Sequence, residues 1–252
     1  MAQRPYIVGN WKMNGTRAQL AEARAIGRGA GRYPGVEVAL APPFTLLAAM
    51  AEAAEGIAVG GQDCHVNTAG AHTGDVSAAM LADAGAGFVI VGHSERRDAH
   101  REKDALVRAK ATAGLEAGLG VIVCVGETLA EREAGNAIKV VTAQLAGSLP
   151  PGAEAAGRIS VAYEPVWAIG TGKVAAVTDV AAMHSAIRVQ LQSIYGDAGS
   201  EMRILYGGSV NAGNAAELLA TDEVGGALVG GASLTAESFL AIVAAAPGEN
   251  AE

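Results

Sequence analysis

Two side chains at the ends of different apolar runs have the makings of an acid–base pair. Glu164 closes the run ISVAYEP, and His93 follows FVIVG. Taking a proton from a carbon beside a carbonyl needs a base, and the oxyanion that develops needs a donor. A carboxylate and an imidazole suit those two roles. Lys12, in NWK after the first run, adds positive charge. Alone, each has an ordinary explanation: solvated surface charges, and a core histidine satisfied by backbone bonds. Two glycine-rich turns give the three residues an object. YGGSVNAGNAAEL, holding Ser209, and LVGGASLTAESF, holding Gly230 and Gly231, each end an apolar run and lead into a helical pattern. Glycine lets backbone come close to a ligand and helix N-terminal amides donate to anions, so the pair of turns suits a phosphate. For either turn alone, tight packing is an equal explanation.

Other chemistries fit less well. Asp63, Glu95, Glu127 and Glu164 offer oxygen to a hard cation, but the five histidines have no His-Glu-x-x-His spacing and Lys12 repels a cation, so no metal is expected. The stretch GTGKVA, from Gly170 to Ala175, matches a loose dinucleotide fingerprint. Pro165 and Trp167 separate it from the strand, however, and no acidic residue ends a following strand. The Walker pattern fails because Trp167 stands where its first glycine belongs and Val174 follows the lysine.

These residues must be positioned by elements, and the elements are legible. Eight short apolar runs recur, beginning near Tyr6, Val36, Ile57, Phe88, Val121, Ile159, Arg203 and Ala227, most ending in glycine or proline. Continuous rather than alternating hydrophobicity marks strands buried on both faces, as in parallel sheets. Between them lie stripes of helical spacing: Val180, Met183, Ile187, Leu191 and Ile194; Ile138, Val141 and Leu145; Leu106, Ala109, Ala113 and Ala117. Thr178-Asp179 and Thr235 are candidate helix caps. The alternation predicts an α/β fold, a closed (β/α)8 barrel filling residues 1–252 as one domain, with an open doubly wound sheet as competitor. In such a barrel the polar residues just after each strand, among them Asn10, Lys12, Gln62, Asp63, His93, Ser94, Glu95, Glu127, Glu164 and Ser209, are expected to converge on one mouth.

The 252-residue chain is 50% hydrophobic, 17% charged and 4% aromatic, which allows a large aliphatic core. A net charge of −8 argues against nucleic-acid or anionic-membrane surfaces, which need clustered Lys and Arg. Cys64 and Cys124 form no disulfide framework and predict reduced thiols. No apolar run approaches spanning length, and a cytoplasmic location is expected.

In order along nearly the whole chain, GNWKMNG, GGQDC, GAHTGDVS, VGHSERR, CVGE, AYEPVWAIGTGK, LYGGSV and LVGGASL resemble the triosephosphate isomerase family. The resemblance implies a homodimeric, cofactor-free isomerase of glycolysis and gluconeogenesis that interconverts dihydroxyacetone phosphate and glyceraldehyde 3-phosphate. It assigns the base to Glu164, a neutral donor imidazole to His93, charge stabilisation to Lys12, substrate orientation to Asn10 and a supporting role to Glu95. Backbone amides of Gly170, Ser209, Gly230 and Gly231 would hold the phosphate. Residues 165–175 would form a hinged lid that excludes water, and Thr73 would reach the partner subunit's mouth. Another phosphosugar barrel is the alternative enzyme, although a Schiff-base lyase needs a desolvated lysine beside the carbonyl. A catalytically idle phosphosugar binder is the alternative from a different class, and it would have no need of His93 or Glu164.

Overall fold

The computed structural model describes residues 3–168 and 175–248. Eight parallel strands close into a barrel in chain order: β1 Tyr6–Asn10, β2 Glu37–Ala41, β3 Ala58–Gly61, β4 Phe88–Val91, β5 Gly120–Val125, β6 Ile159–Tyr163, β7 Ile204–Tyr206 and β8 Gly226–Val229. Closure is made by β8 against β1, pairing Tyr6 with Gly226 and Gly9 with Val229. The open-sheet competitor is thereby excluded, and every predicted apolar run is a strand.

The uniform hydrophobicity of the strands resolves into two cores, because successive side chains point to opposite faces. Tyr6, Val8, Ala39, Ala41, Phe88, Ile90, Ile122, Cys124, Ala162, Leu205 and Leu228 fill the barrel interior. The alternate residues, such as Ile7, Val89, Val123 and Val161, pack outward with helix residues including Val107, Leu145, Ile187 and Phe239. Carrying the inward parity past the strand ends brings Asn10, Glu164, Gly207 and Gly230 to the mouth, where all four line one cavity. Both cysteines are free and buried.

Helix faces follow the expected stripes with one correction. The helix Val177–Tyr195 buries Val180, Met183, Ile187 and Leu191, and Val141 and Leu145 are buried in Ala137–Ser148. In Asp104–Glu116, however, the buried face is Val107, Lys110, Ala111 and Gly114 rather than the stripe through Leu106 and Ala109. Lys110 turns inward because its ammonium meets both Asp63 oxygens, at 2.8 and 2.7 Å, and Glu102 Oε1 at 2.6 Å. Thr235 caps its helix by accepting from the Ser238 N–H. Thr178-Asp179 do not cap theirs: that helix begins at Val177, and Ala176 at the cap position offers no side-chain oxygen.

Candidate active site

Asn10, the last residue of β1, turns the chain into Lys12, whose φ of 53° lies in the left-handed region that a non-glycine residue adopts at a cost. Two bonds hold it there. The Asn10 Oδ1 accepts the Lys12 N–H at 3.0 Å, and Gln62 Nε2 donates to the Lys12 carbonyl at 2.8 Å and to Ala41 O at 2.9 Å. The ammonium is thereby aimed across the mouth, where it pairs with Glu95 Oε1 at 2.6 Å.

His93 sits at the end of β4 as the N-cap of the short helix Ser94–Ala99, and its Nδ1 accepts the Glu95 N–H at 3.2 Å. With Nδ1 accepting, the ring proton resides on Nε2, which faces Glu164 Oε1 at 2.8 Å. Glu164 Oε2 accepts the Ser94 N–H at 2.8 Å. Both side chains are almost wholly enclosed. Burial acts to raise the Glu164 pKa, but the His93 ring, the Ser94 N–H and Lys12 outweigh it and hold the carboxyl below its usual range. For His93, burial is the largest influence and favours the neutral ring, while the facing Glu164 carboxylate pulls the other way and raises the pKa in this arrangement.

Two glycines pack closely against Glu164, one against its backbone and one against its side chain. A Cβ on Gly126 would lie 1.8 Å from the Glu164 carbonyl oxygen, and one on Gly207 would lie 2.9 Å from Glu164 Cγ. A side chain at Gly126 would displace the Glu164 backbone, and one at Gly207 would displace its side chain.

The mouth is a cavity of about 490 Å³ lined by Asn10, Lys12, His93, Glu95, Glu164, the 207–210 turn, Leu228 and the 230–232 turn, together with Asn14. After β8 the chain enters a 3-10 turn, Gly231–Ser233, directly; after β7 it makes a longer turn before the helix Ala215–Leu219. Ser209 Oγ donates to Ala168 O at 2.9 Å, tying the first turn to the stem of the expected lid. Of that lid, Pro165–Ala168 and Ala175 are described, while Gly170 and the rest of 169–174 lie outside the described residues. Trp167 Nε1 and the Tyr163 hydroxyl donate to Glu127 Oε1 at 2.8 and 3.1 Å.

The expected convergence is incomplete, then. Asn10, Lys12, His93, Glu95, Glu164, Ser209, Gly230 and Gly231 meet at the mouth. Asp63 is drawn outside the barrel by Lys110 and Arg96, and Glu127 is buried beneath Trp167, so each of these carboxylates has its own donors. The Ser94 amide, which holds the Glu164 carboxylate, has no side-chain signature and appears only in three dimensions. A larger cavity, about 650 Å³, opens at the opposite end, lined by residues such as Tyr6, Glu37 and Arg203. Its volume brings none of the convergent groups found at the mouth.

The family model described as triosephosphate isomerase matches residues 5–246. Triosephosphate isomerases of Ruegeria sp. (strain TM1040) and Afipia carboxidovorans are each 56% identical, over 96% and 97% of this chain and 98% of each relative. The crystal structure of triosephosphate isomerase from Bartonella henselae superposes with a TM-score of 0.90 at 50% identity, covering 96% of this chain and 98% of that one. With the closed barrel and its convergent mouth, these matches establish that the chain belongs to the triosephosphate isomerase family.

Proposed function

We propose that the protein interconverts dihydroxyacetone phosphate and D-glyceraldehyde 3-phosphate by proton transfer through an enediolate. The observation that carries this is the enclosed His93–Glu164 contact opening onto a cavity that also holds Lys12 and both glycine-rich turns. Glu164 is the base. It leaves the His93 and Ser94 donors and turns into the cavity, where it takes a proton from one carbon and returns it to the neighbouring one. His93, neutral with its proton on Nε2, donates to the carbonyl and enediolate oxygens. Lys12 stabilises the negative charge, Glu95 positions the Lys12 ammonium, and Asn10 fixes the turn that carries it. Ser209, Gly230 and Gly231 bind the phosphate through backbone amides, with Gly170 joining when residues 165–175 close and water is excluded. No cofactor or metal has a part in these steps.

The protein acts as a cytoplasmic homodimer in which Thr73 reaches the partner's mouth. Support comes from Met13 and Met80, large apolar side chains 94% and 53% exposed on the isolated chain, which a second copy would cover. The free cysteines fit a reducing compartment. No helix among the described residues is long and apolar enough to cross a membrane.

Proton NMR of dihydroxyacetone phosphate in D2O, with the protein and its Glu164→Gln variant, tests the chemistry. Interconversion with deuterium at the exchanging carbon, nearly abolished in the variant, is the expected result. Binding without exchange by the unaltered protein overturns it. Light scattering of the protein and of Thr73→Arg tests the assembly, the variant being expected to shift toward monomer.

A further inference from the structure

Away from the mouth, the loop after β3 gathers three ligand-type side chains. His65, His72 and Asp75 each offer one donor atom, and these atoms lie within 4.8 Å of one another. The two imidazole rings stack with centroids 4.0 Å apart and planes inclined by 32°. His65 Nε2 stands 3.8 Å from Asp75 Oδ2, and no lysine or arginine forms an ion pair with Asp75 among the described residues. Backbone bonds fix the loop that presents them: His65 N–H donates to Val76 O at 2.8 Å, and Asp75 N–H to His72 O at 3.0 Å. None of the three lines the mouth cavity.

We propose that His65, His72 and Asp75 bind one divalent cation of the zinc class. Two imidazoles and a carboxylate form a borderline donor set that zinc and its neighbours accept, whereas magnesium and calcium favour oxygen alone. Three protein ligands leave a fourth position to water. Zinc bonds of about 2.0–2.2 Å require the ligands to draw together; on the isolated chain Asp75 is the most exposed of the three, its side chain 58% accessible.

Binding has a defined local cost. His65 Nδ1 accepts the Asn67 N–H at 3.0 Å, and His72 Nε2 lies 2.9 Å from the Asn67 side-chain amide. A neutral ring that gives its Nε2 lone pair to a cation carries its proton on Nδ1, so loading through His65 Nε2 breaks the bond from Asn67. His72 can bind through Nδ1 if the Asn67 amide presents its oxygen to an Nε2 proton. Cation binding is thus coupled to rearrangement at Asn67 and competes with protons for both rings. Thr73 lies within the same segment, so the ion would clamp the loop proposed to reach a partner.

The test is titration of the full-length protein with Co2+, read by visible absorption, followed by displacement with Zn2+. One equivalent per chain, with the ligand-field bands of a four-coordinate ion lost on adding Zn2+, is expected. His65→Ala, His72→Ala and Asp75→Asn should each weaken binding by about tenfold or more. The His65→Ala/His72→Ala double variant should abolish it, with circular dichroism showing an intact fold. His100→Ala, altering an exposed histidine elsewhere, should bind as the parent does. Absence of saturable binding, or one-equivalent binding that survives in the double variant, overturns the proposal. Because the readout is the bound ion, it stands or falls independently of isomerase activity.

Discussion

Among the described residues, acidic and basic side chains are buried together in two places, and the two behave differently. At the mouth, Glu164 rests against the His93 ring and the Ser94 N–H beside an open cavity. Outside the barrel, Asp63 and Glu102 are bound to Lys110, and Arg96 adds bonds to Asp63 Oδ2 at 2.9 Å and Glu102 Oε1 at 2.8 Å. The second cluster balances two cations against two anions, and none of its four residues lines the mouth cavity. The first has an imidazole, a backbone amide and a cavity beside the carboxylate. Burial alone does not mark a functional group. What marks it is burial with partners that a ligand can substitute.

The largest effect expected from this contrast is on turnover. Glu164→Gln removes the proposed base and should lower kcat on the order of 10⁴-fold, about 5 kcal/mol of barrier, with little change in thermal midpoint. A comparable loss of stability would place Glu164 with the structural cluster instead. Lys110→Met should do the reverse. It leaves Asp63 and Glu102 buried with Arg96 alone, costing about 4 kcal/mol in urea unfolding while turnover per folded molecule is retained. Activity lost in proportion to an unchanged stability would merge the two regions.

His184 sharpens the contrast, being buried with no ion-pair partner among the described residues and bonded only through Nδ1 to Glu223 O at 3.1 Å. Burial pushes its pKa down to about 4 from 6.5. The folded value lies below the unfolded one, so the unfolded chain takes up the proton first as pH falls, and stability is lost between pH 6.5 and about 4. The loss from this group is about 3 kcal/mol, and His184→Gln should flatten the unfolding free energy across that window by a similar amount. An unchanged pH profile would show that the ring is solvated. The smallest effect belongs to the exposed ion pair of Lys12 and Glu95: Glu95→Gln should change stability by about 0.5 kcal/mol or less, while kcat/KM falls through looser placement of the Lys12 ammonium. A stability loss of several kcal/mol would show Glu95 to be a structural anchor.

The sequence by itself determined the count and order of the strands, and with them the mouth residues. A strand buried on both faces must be apolar throughout and must stop at a turn residue, so Glu164, His93 and the two glycine-rich turns announce themselves as the first polar or flexible positions after such runs. Period-two parity then places Asn10, Glu164 and Gly230 inward without reference to any partner. Only the tertiary structure decided which polar residues leave the mouth and which helix face is buried. Asp63 is claimed by Lys110, 47 positions away, and that ion pair carries a lysine into the packed face of Asp104–Glu116, against the apolar stripe. Glu127 is claimed by Tyr163 and Trp167, and Glu164 is held by a backbone amide 70 positions distant. The clustering of His65, His72 and Asp75 depends likewise on how one loop folds back on itself. Local periodicity records which side of an element meets apolar neighbours, whereas pairing between polar groups is set by distances that exist only once the elements have packed.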